Sequence, residues 1–321
     1  MKIGWVLSGD KNVGSARILG YNLHNWIKDN TEVQSEIVYA AIPYLGGVNP
    51  TLAMNSDTIL KIATSGFDWI IFQKVCAGSA ETLVRECKYH GVKTAFVLDD
   101  LEPAMLPMCK MVDMVIIGDD STLIGEWVFK QTQHPGIFLL PDAYETPKDF
   151  YKKDYRQNGT LKIVWFGNMS HCKEATMIRP AIQNLGYQYT IISNSLDADK
   201  LWNRDTIYDD IVNSDVVVFP YPSPLPAYEI VKGPCRCIQS MVLGMPIIAS
   251  PYPSFLTLIT PGHTGLVAFD NSVVGWKALL RAVGDEKFRE HIGTNARNLV
   301  VEKYHVSVVC TSLLESLEKI R

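Results

Sequence analysis

The sequence predicts an α/β protein made of two parallel-sheet domains, on three observations. Apolar, β-branched runs alternate with amphipathic stretches from one end to the other, and strands buried on both faces read as such continuous runs. The chain has 321 residues, too many for one ordinary core and suited to two at about 100–200 residues per domain. A polar stretch near the middle divides it into halves of similar size, each opening on a strand-like run.

Taken in order, the runs are Ile3–Leu7, Trp69–Phe72, Thr94–Leu98, Met114–Ile117 and Ile137–Leu140, then Leu161–Phe166, Tyr189–Ile192, Val216–Phe219 and Pro246–Ala249. Between the fifth and sixth lie Pro141 to Pro147 and the polar segment Lys148 to Gly159, the linker. The expected domains are therefore 1–147 and 148–321, each with about five strands joined by crossover helices. Two facing Rossmann-like domains follow, with ligand at the carboxyl ends of the strands in a central cleft. Val309, Leu313, Leu314, Leu317 and Ile320 recur at helical spacing. They predict a C-terminal helix with one apolar face, placed to pack back on the first domain.

Composition narrows the class. Hydrophobic residues are 47%, aromatics 10% and charged residues 20%, which describes a globular protein with ample core. A net charge of −4 supplies no global attraction to nucleic acid or anionic lipid. The seven cysteines are irregularly spaced, and Cys235-Arg236-Cys237 lacks the two-residue gap of a zinc hook. Reduced thiols and a cytoplasmic location are expected. Met1 to Leu7 is stopped by Ser8-Gly9-Asp10; it is too short for a signal-peptide core or a bilayer span. Any membrane contact is expected to be peripheral.

Three segments carry candidate chemistry. The loop Ser8 to Arg17 joins the first strand to a helix, a place where backbone N–H groups and the positive helix end can meet a phosphate. Gly9 and Gly14 do not form a dinucleotide glycine fingerprint, and the loop reads equally as a plain strand-to-helix turn. Second, the run Ile163 to Phe166 enters Gly167-Asn168, with His171 and Lys173 close behind. A glycine at a strand end permits close ligand approach and a lysine can neutralise a phosphate, although Lys173 alone reads as a solvated surface residue. Third, Val216 to Phe219 leads into Pro220-Tyr221-Pro222, a loop expected to project outward, and then to Lys232 and Arg236. These cations are four apart and share a helical face, with Gln239 a turn beyond Arg236. Positive charge at a helix start opposes the helix dipole, so an anion, above all a phosphate, is expected there.

The segment Gln239 to Ser250, with Pro261-Gly262-His263-Thr264-Gly265-Leu266-Val267 after it, resembles the nucleotide-sugar-binding region of GT-B glycosyltransferases similar to family 4. The resemblance extends to Phe166-Gly167 with Lys173 and to Asp215 through Pro220. It is weaker in the first half, at Asp68 to Lys74, Asp99-Asp100-Leu101 and Asp113 to Ile116. It implies a GT-B fold and transfer of a sugar from a nucleoside-diphosphate sugar, with a UDP-sugar expected, and with retention at the anomeric carbon.

For the site, it implies a donor set of Gly14, Ser15, Gly167, Asn168, Glu229 and Gln239. Lys173, Arg236 and Lys232 would stabilise the leaving diphosphate, while Arg17, Lys74, Asp99, Asp100 and Glu102 lie on the acceptor side. Gly14 and Ser15 would face the donor phosphates across the cleft. Two departures stand out. The family's paired glutamates are replaced by Val231 and Gln239, of which Gln239 keeps a hydrogen-bonding amide for a ribose hydroxyl. Glu229 is the nearest substitute for the earlier one. The family's arginine after the strand-end glycine is Asn168 here, and Arg236 or Lys232 is expected to supply that cation.

Asp99-Asp100 could ligate Mg²⁺, since paired carboxylates suit hard cations, but such enzymes stabilise the diphosphate with side chains and helix dipoles, so Mg²⁺ is not expected and no other cofactor is required. His24, His90, His134, His263, His291 and His305 show no metal spacing and are expected to be structural or surface residues. The acceptor stays open among a glycan, a lipid-linked sugar, a protein and a modified DNA base. A sugar-nucleotide epimerase on the same fold and a non-catalytic nucleotide-sugar binder are the alternatives.

Overall fold

The computed structural model describes residues 1–41, 51–99, 103–118, 122–157, 159–168, 172–222 and 233–320. The chain forms two compact units, the first made chiefly of Met1–Glu145 and the stretch from Tyr304, the second of most residues between Thr146 and Lys303.

In the first unit the strands are β1 (Lys2–Leu7), β2 (Gln34–Ala40), β3 (Thr51–Leu52), β4 (Trp69–Gln73), β5 (Ala77–Gly78), β6 (Lys93–Leu98), β7 (Met114–Ile117) and β8 (Ile137–Leu139). Six of them form a sheet in the order β2-β1-β4-β6-β7-β8, every neighbouring pair parallel, and β3 pairs with β5 alone. The second unit has β9 (Lys162–Gly167), β10 (Gln188–Ser193), β11 (Lys200–Leu201), β12 (Val216–Phe219), β13 (Ile247–Ala249) and β14 (Leu266–Val267). Their order is β11-β10-β9-β12-β13-β14, again parallel throughout. The parallel order follows from the apolar runs: Ile3, Trp69, Phe96, Val115, Val164, Val218 and Ile248 are all buried, and only helices on both faces of a sheet can cover such strands. Each sheet has six strands rather than five, because the edge strands β2, β11 and β14 are part-polar or only two residues long.

Two local features shape the carboxyl ends of these sheets. Residues Gly14–Asn30 form one helix whose second turn, Arg17–Tyr21, is π-wound. Gly20 lets it lie close to β1, since a Cβ there would come within 2.5 Å of Leu7 Cδ2. In the second unit the helix Cys235–Val242 ends at Gly244, whose φ of 69° is left-handed. The Gly244 N–H bonds to Met241 O at 2.9 Å and the Met245 N–H to Ser240 O at 3.1 Å, a paired closure that requires glycine. This is the physical content of Gly244-Met245-Pro246: the helix stops and the chain enters β13 in two residues.

The C-terminal helix Val306–Lys319 buries Val309, Cys310, Leu313 and Leu317. It packs within the first unit, where Cys310 Sγ approaches Leu23 O at 3.7 Å and the Tyr144 N–H bonds to Tyr304 O. Among the described residues, no helix is long and apolar enough to cross a membrane.

Candidate active site

Each sheet has one topological switch point, where neighbouring strands are left by connections running in opposite directions and a crevice opens at their carboxyl ends. In the second unit it lies between β9 and β12, the former flanked by β10 and β11 and the latter by β13 and β14. In the first it lies between β1 and β4.

Arg236 occupies the switch point of the second unit. It is the second residue of the helix Cys235–Val242. Its Nη1 donates to Phe166 O at 3.2 Å, at the end of β9, and its Nη2 donates to the Tyr221 hydroxyl just beyond β12. The guanidinium carbon lies 5.3 Å from the ring centroid of Phe219, 5.7 Å from Trp165 and 5.8 Å from Tyr221, within the range of cation–π attraction. Among the described residues no carboxylate pairs with it.

Gly167 has a more specific task than admitting a ligand. A Cβ at that position would come within 2.5 Å of Arg236 Nη1 and 2.8 Å of the Trp165 ring, so the missing side chain is the space the guanidinium uses. Gln239 is buried on the same helix, and Asn168 is exposed after Gly167. Lys173 is exposed on the short helix Cys172–Thr176, with no side-chain partner among the described residues. Lys232, Glu229 and His171 lie outside the described residues.

Tyr221 was expected on an outward loop; the structure corrects this, for Tyr221 is 3% exposed. Its ring stacks on Tyr252 at 4.4 Å. Its N–H donates to Ser250 Oγ at 2.9 Å, and Ser250 Oγ donates to Asn271 Oδ1 at 2.9 Å. Asn271 Nδ2 donates to Tyr221 O at 2.5 Å, while Trp276 Nε1 donates to Asn271 Oδ1 at 2.9 Å. The indole donor fixes which end of the Asn271 amide is oxygen. The network holds the start of the loop down and so sets the hydroxyl that orients Arg236. The sequence gives no sign of it, because its members come from three separate segments.

At the switch point of the first unit, Ser8 follows β1 and Gln73 ends β4. Ser8 Oγ donates to Gln73 Oε1 at 2.6 Å, joined by the Ser8 N–H at 3.2 Å. Lys74 adopts a φ of 60°, rare for a residue with a side chain, and its Nζ lies 2.8 Å from Asp99 Oδ1. The structure thus brings Lys74 and Asp99 together. Arg17 is committed elsewhere: its Nε faces both oxygens of Glu145 at 2.7 and 3.0 Å, and its Nη1 donates to Lys11 O. Gly14 and Ser15 open the first helical turn, where no side chain caps the helix and the first backbone bond is from Arg17 N–H to Val13 O at 2.9 Å. Their N–H groups are of the kind a helix start offers to an anion. Asp100 and Glu102 lie outside the described residues.

Among the described residues no three His, Cys, Asp or Glu side chains gather as a metal site. Burial pushes the thiols of Cys87, Cys109 and Cys310 up to about 12, which keeps them protonated and unreactive.

No protein-family model and no curated protein matches the chain. Solved structures do match its fold. A glycosyltransferase from Rickettsia africae ESF-5 aligns with a TM-score of 0.71 at 12% identity, over 100% of this chain and 98% of that one. HepE from Anabaena, in complex with UDP and glucose, aligns with a TM-score of 0.69 at 15% identity, over 99% of each chain. Sucrose-phosphate synthase from Thermosynechococcus elongatus aligns with a TM-score of 0.68 at 11% identity, over 100% and 99%. At such identities the likeness is one of fold, and the fold is GT-B: two parallel-sheet α/β units of six strands each.

Proposed function

We propose that this protein is a retaining glycosyltransferase of the family 4 type, moving a sugar from a UDP-sugar to a hydroxyl acceptor. The observation that carries the reading is Arg236: a guanidinium without a carboxylate partner among the described residues, held at the switch point of the second unit by Phe166 O and the Tyr221 hydroxyl. A cation fixed there is suited to a diphosphate. The structures of HepE with UDP and with UDP-glucose lend support from the same fold.

In this reading the bond between the anomeric carbon and the diphosphate oxygen breaks, and the electron pair leaves with the diphosphate. Arg236, with Lys173 and Lys232, stabilises that developing charge. Gly167 and Asn168 line the approach, and the Gln239 amide bonds a ribose hydroxyl, with Glu229 near the sugar. Gly14 and Ser15 offer N–H groups to phosphate. Lys74, Asp99, Asp100 and Glu102 take the acceptor, whose hydroxyl proton passes to the departing diphosphate oxygen as its own oxygen bonds to the anomeric carbon; Arg17, tied to Glu145, has a supporting place. A cytoplasmic location belongs to the same proposal.

The test is NMR of the protein incubated with UDP-glucose and a panel of hydroxyl acceptors. Transfer with the anomeric configuration of the donor is expected. An inverted product would remove the retaining assignment, and epimerised donor without acceptor would replace transfer by epimerisation.

A further inference from the structure

Two histidines 28 positions apart in sequence meet on the surface of the second unit, beside the turn that enters its edge strand β14. His263 stands on the turn Thr260–Thr264 that feeds β14. That turn is rigid: Gly262 has a φ of 79° and its N–H bonds to Gly265 O at 2.8 Å. The buried Thr264 hydroxyl accepts from Thr260 N–H and donates to Leu258 O, both at 2.8 Å. His291 projects from the helix Glu286–Val300, and Asn295 lies one turn further along it. Both imidazoles are exposed, with ring centroids 5.7 Å apart and planes at 62°.

The Asn295 amide sits between them. Its Nδ2 is 3.2 Å from His263 Nδ1 and lies beside the Cε1 side of the His291 ring, 3.1 Å from Nε2 and 3.4 Å from Nδ1. Both rings thus hold a nitrogen within reach of one shared point, His263 through Nδ1 and His291 through Nε2. A metal ion binds an imidazole lone pair at about 2.0–2.1 Å, and with ring centroids 5.7 Å apart the two exposed side chains can turn to aim Nδ1 and Nε2 at one ion. Turning the Asn295 amide would add an oxygen ligand. We propose that His263 and His291, with Asn295, form an open chelate for a divalent first-row transition ion such as Ni²⁺ or Zn²⁺. Two neutral imidazoles suit such ions and are poor ligands for Mg²⁺, which prefers oxygen. With only two imidazoles, the remaining coordination positions belong to water. Binding would clip the turn before β14 to the helix Glu286–Val300 and raise the melting temperature. The site is separate from the proposed donor site and does not depend on it.

The test is titration of the metal-free, full-length protein with Ni²⁺ and, separately, Mg²⁺ by calorimetry, for wild type, His263→Ala and His291→Ala. Both side chains are exposed, and an unchanged melting temperature without metal would confirm that the variants fold. One Ni²⁺ per chain is expected, with affinity at least about tenfold weaker in each variant, and no Mg²⁺ binding. Bound Co²⁺ should give visible bands of nitrogen and oxygen ligation without a thiolate charge-transfer band. Absent Ni²⁺ binding, equal affinity in all three proteins, or a thiolate band would overturn the proposal.

Discussion

Arg236 and Gly167 share one small volume at the end of β9: the guanidinium Nη1 lies where a Cβ on residue 167 would sit, only 2.5 Å away. The alternative to glycine is therefore a displaced arginine. Gly167→Ala is expected to weaken UDP binding as much as Arg236→Ala does, with β9 still formed. Calorimetry with UDP, beside circular dichroism, checks it; full affinity in the alanine variant would show that the guanidinium position is immaterial.

The Tyr221 hydroxyl makes a narrower prediction. It accepts from Arg236 Nη2 while the ring stays packed on Tyr252. Tyr221→Phe keeps the packing and removes the acceptor, so stability should fall by about 1 kcal/mol while UDP affinity drops several-fold. Denaturant melts and UDP titrations of the same variant separate the two effects.

Much of the fold was legible before the structure, because burial on both faces writes itself as continuous apolar runs. All nine runs became strands. The missed strand β2 is an edge strand in which Gln34 and Glu36 are exposed, so no run marks it, and β14 is only two residues long. The site was legible in part. Arg236, Gly167 and Gln239 lie in motifs, whereas Tyr221, Ser250, Asn271 and Trp276 acquire their roles only when the ends of β12, β13 and β14 come together. His263 and His291 meet for the same reason, which local spacing cannot convey.

Arg289 is a fully buried cation that serves structure. Its Nη1 donates to Val283 O at 2.7 Å and Gly284 O at 3.0 Å, closing the helix Val273–Ala282, and its Nη2 donates to Tyr155 O at 2.7 Å. Arg289→Met leaves these carbonyls without their donor and should destabilise the protein by about 3 kcal/mol or more. A denaturation midpoint equal to wild type would mean that other donors replace it.

The first unit should respond to pH through His24. Ser35 Oγ accepts from Trp5 Nε1 at 2.9 Å and lies 2.9 Å from His24 Nδ1. Burial holds the His24 pKa below its ordinary value of 6.5, with Lys28 adding to the effect. The unfolded chain therefore takes up the proton first. Stability should fall as pH drops below about 6.5 and level off once the folded imidazole is also protonated. His24→Asn keeps an acceptor without titrating and should flatten that slope; urea melts of both proteins between pH 5 and 7.5 measure it.

The most direct test of the account is calorimetric titration of UDP into wild type, Arg236→Ala and Lys173→Ala. The account predicts a single site in wild type, weakened at least about tenfold, or 1.4 kcal/mol, in Arg236→Ala, with a smaller loss in Lys173→Ala. No UDP binding by the wild type, or an unchanged dissociation constant in Arg236→Ala, would contradict it.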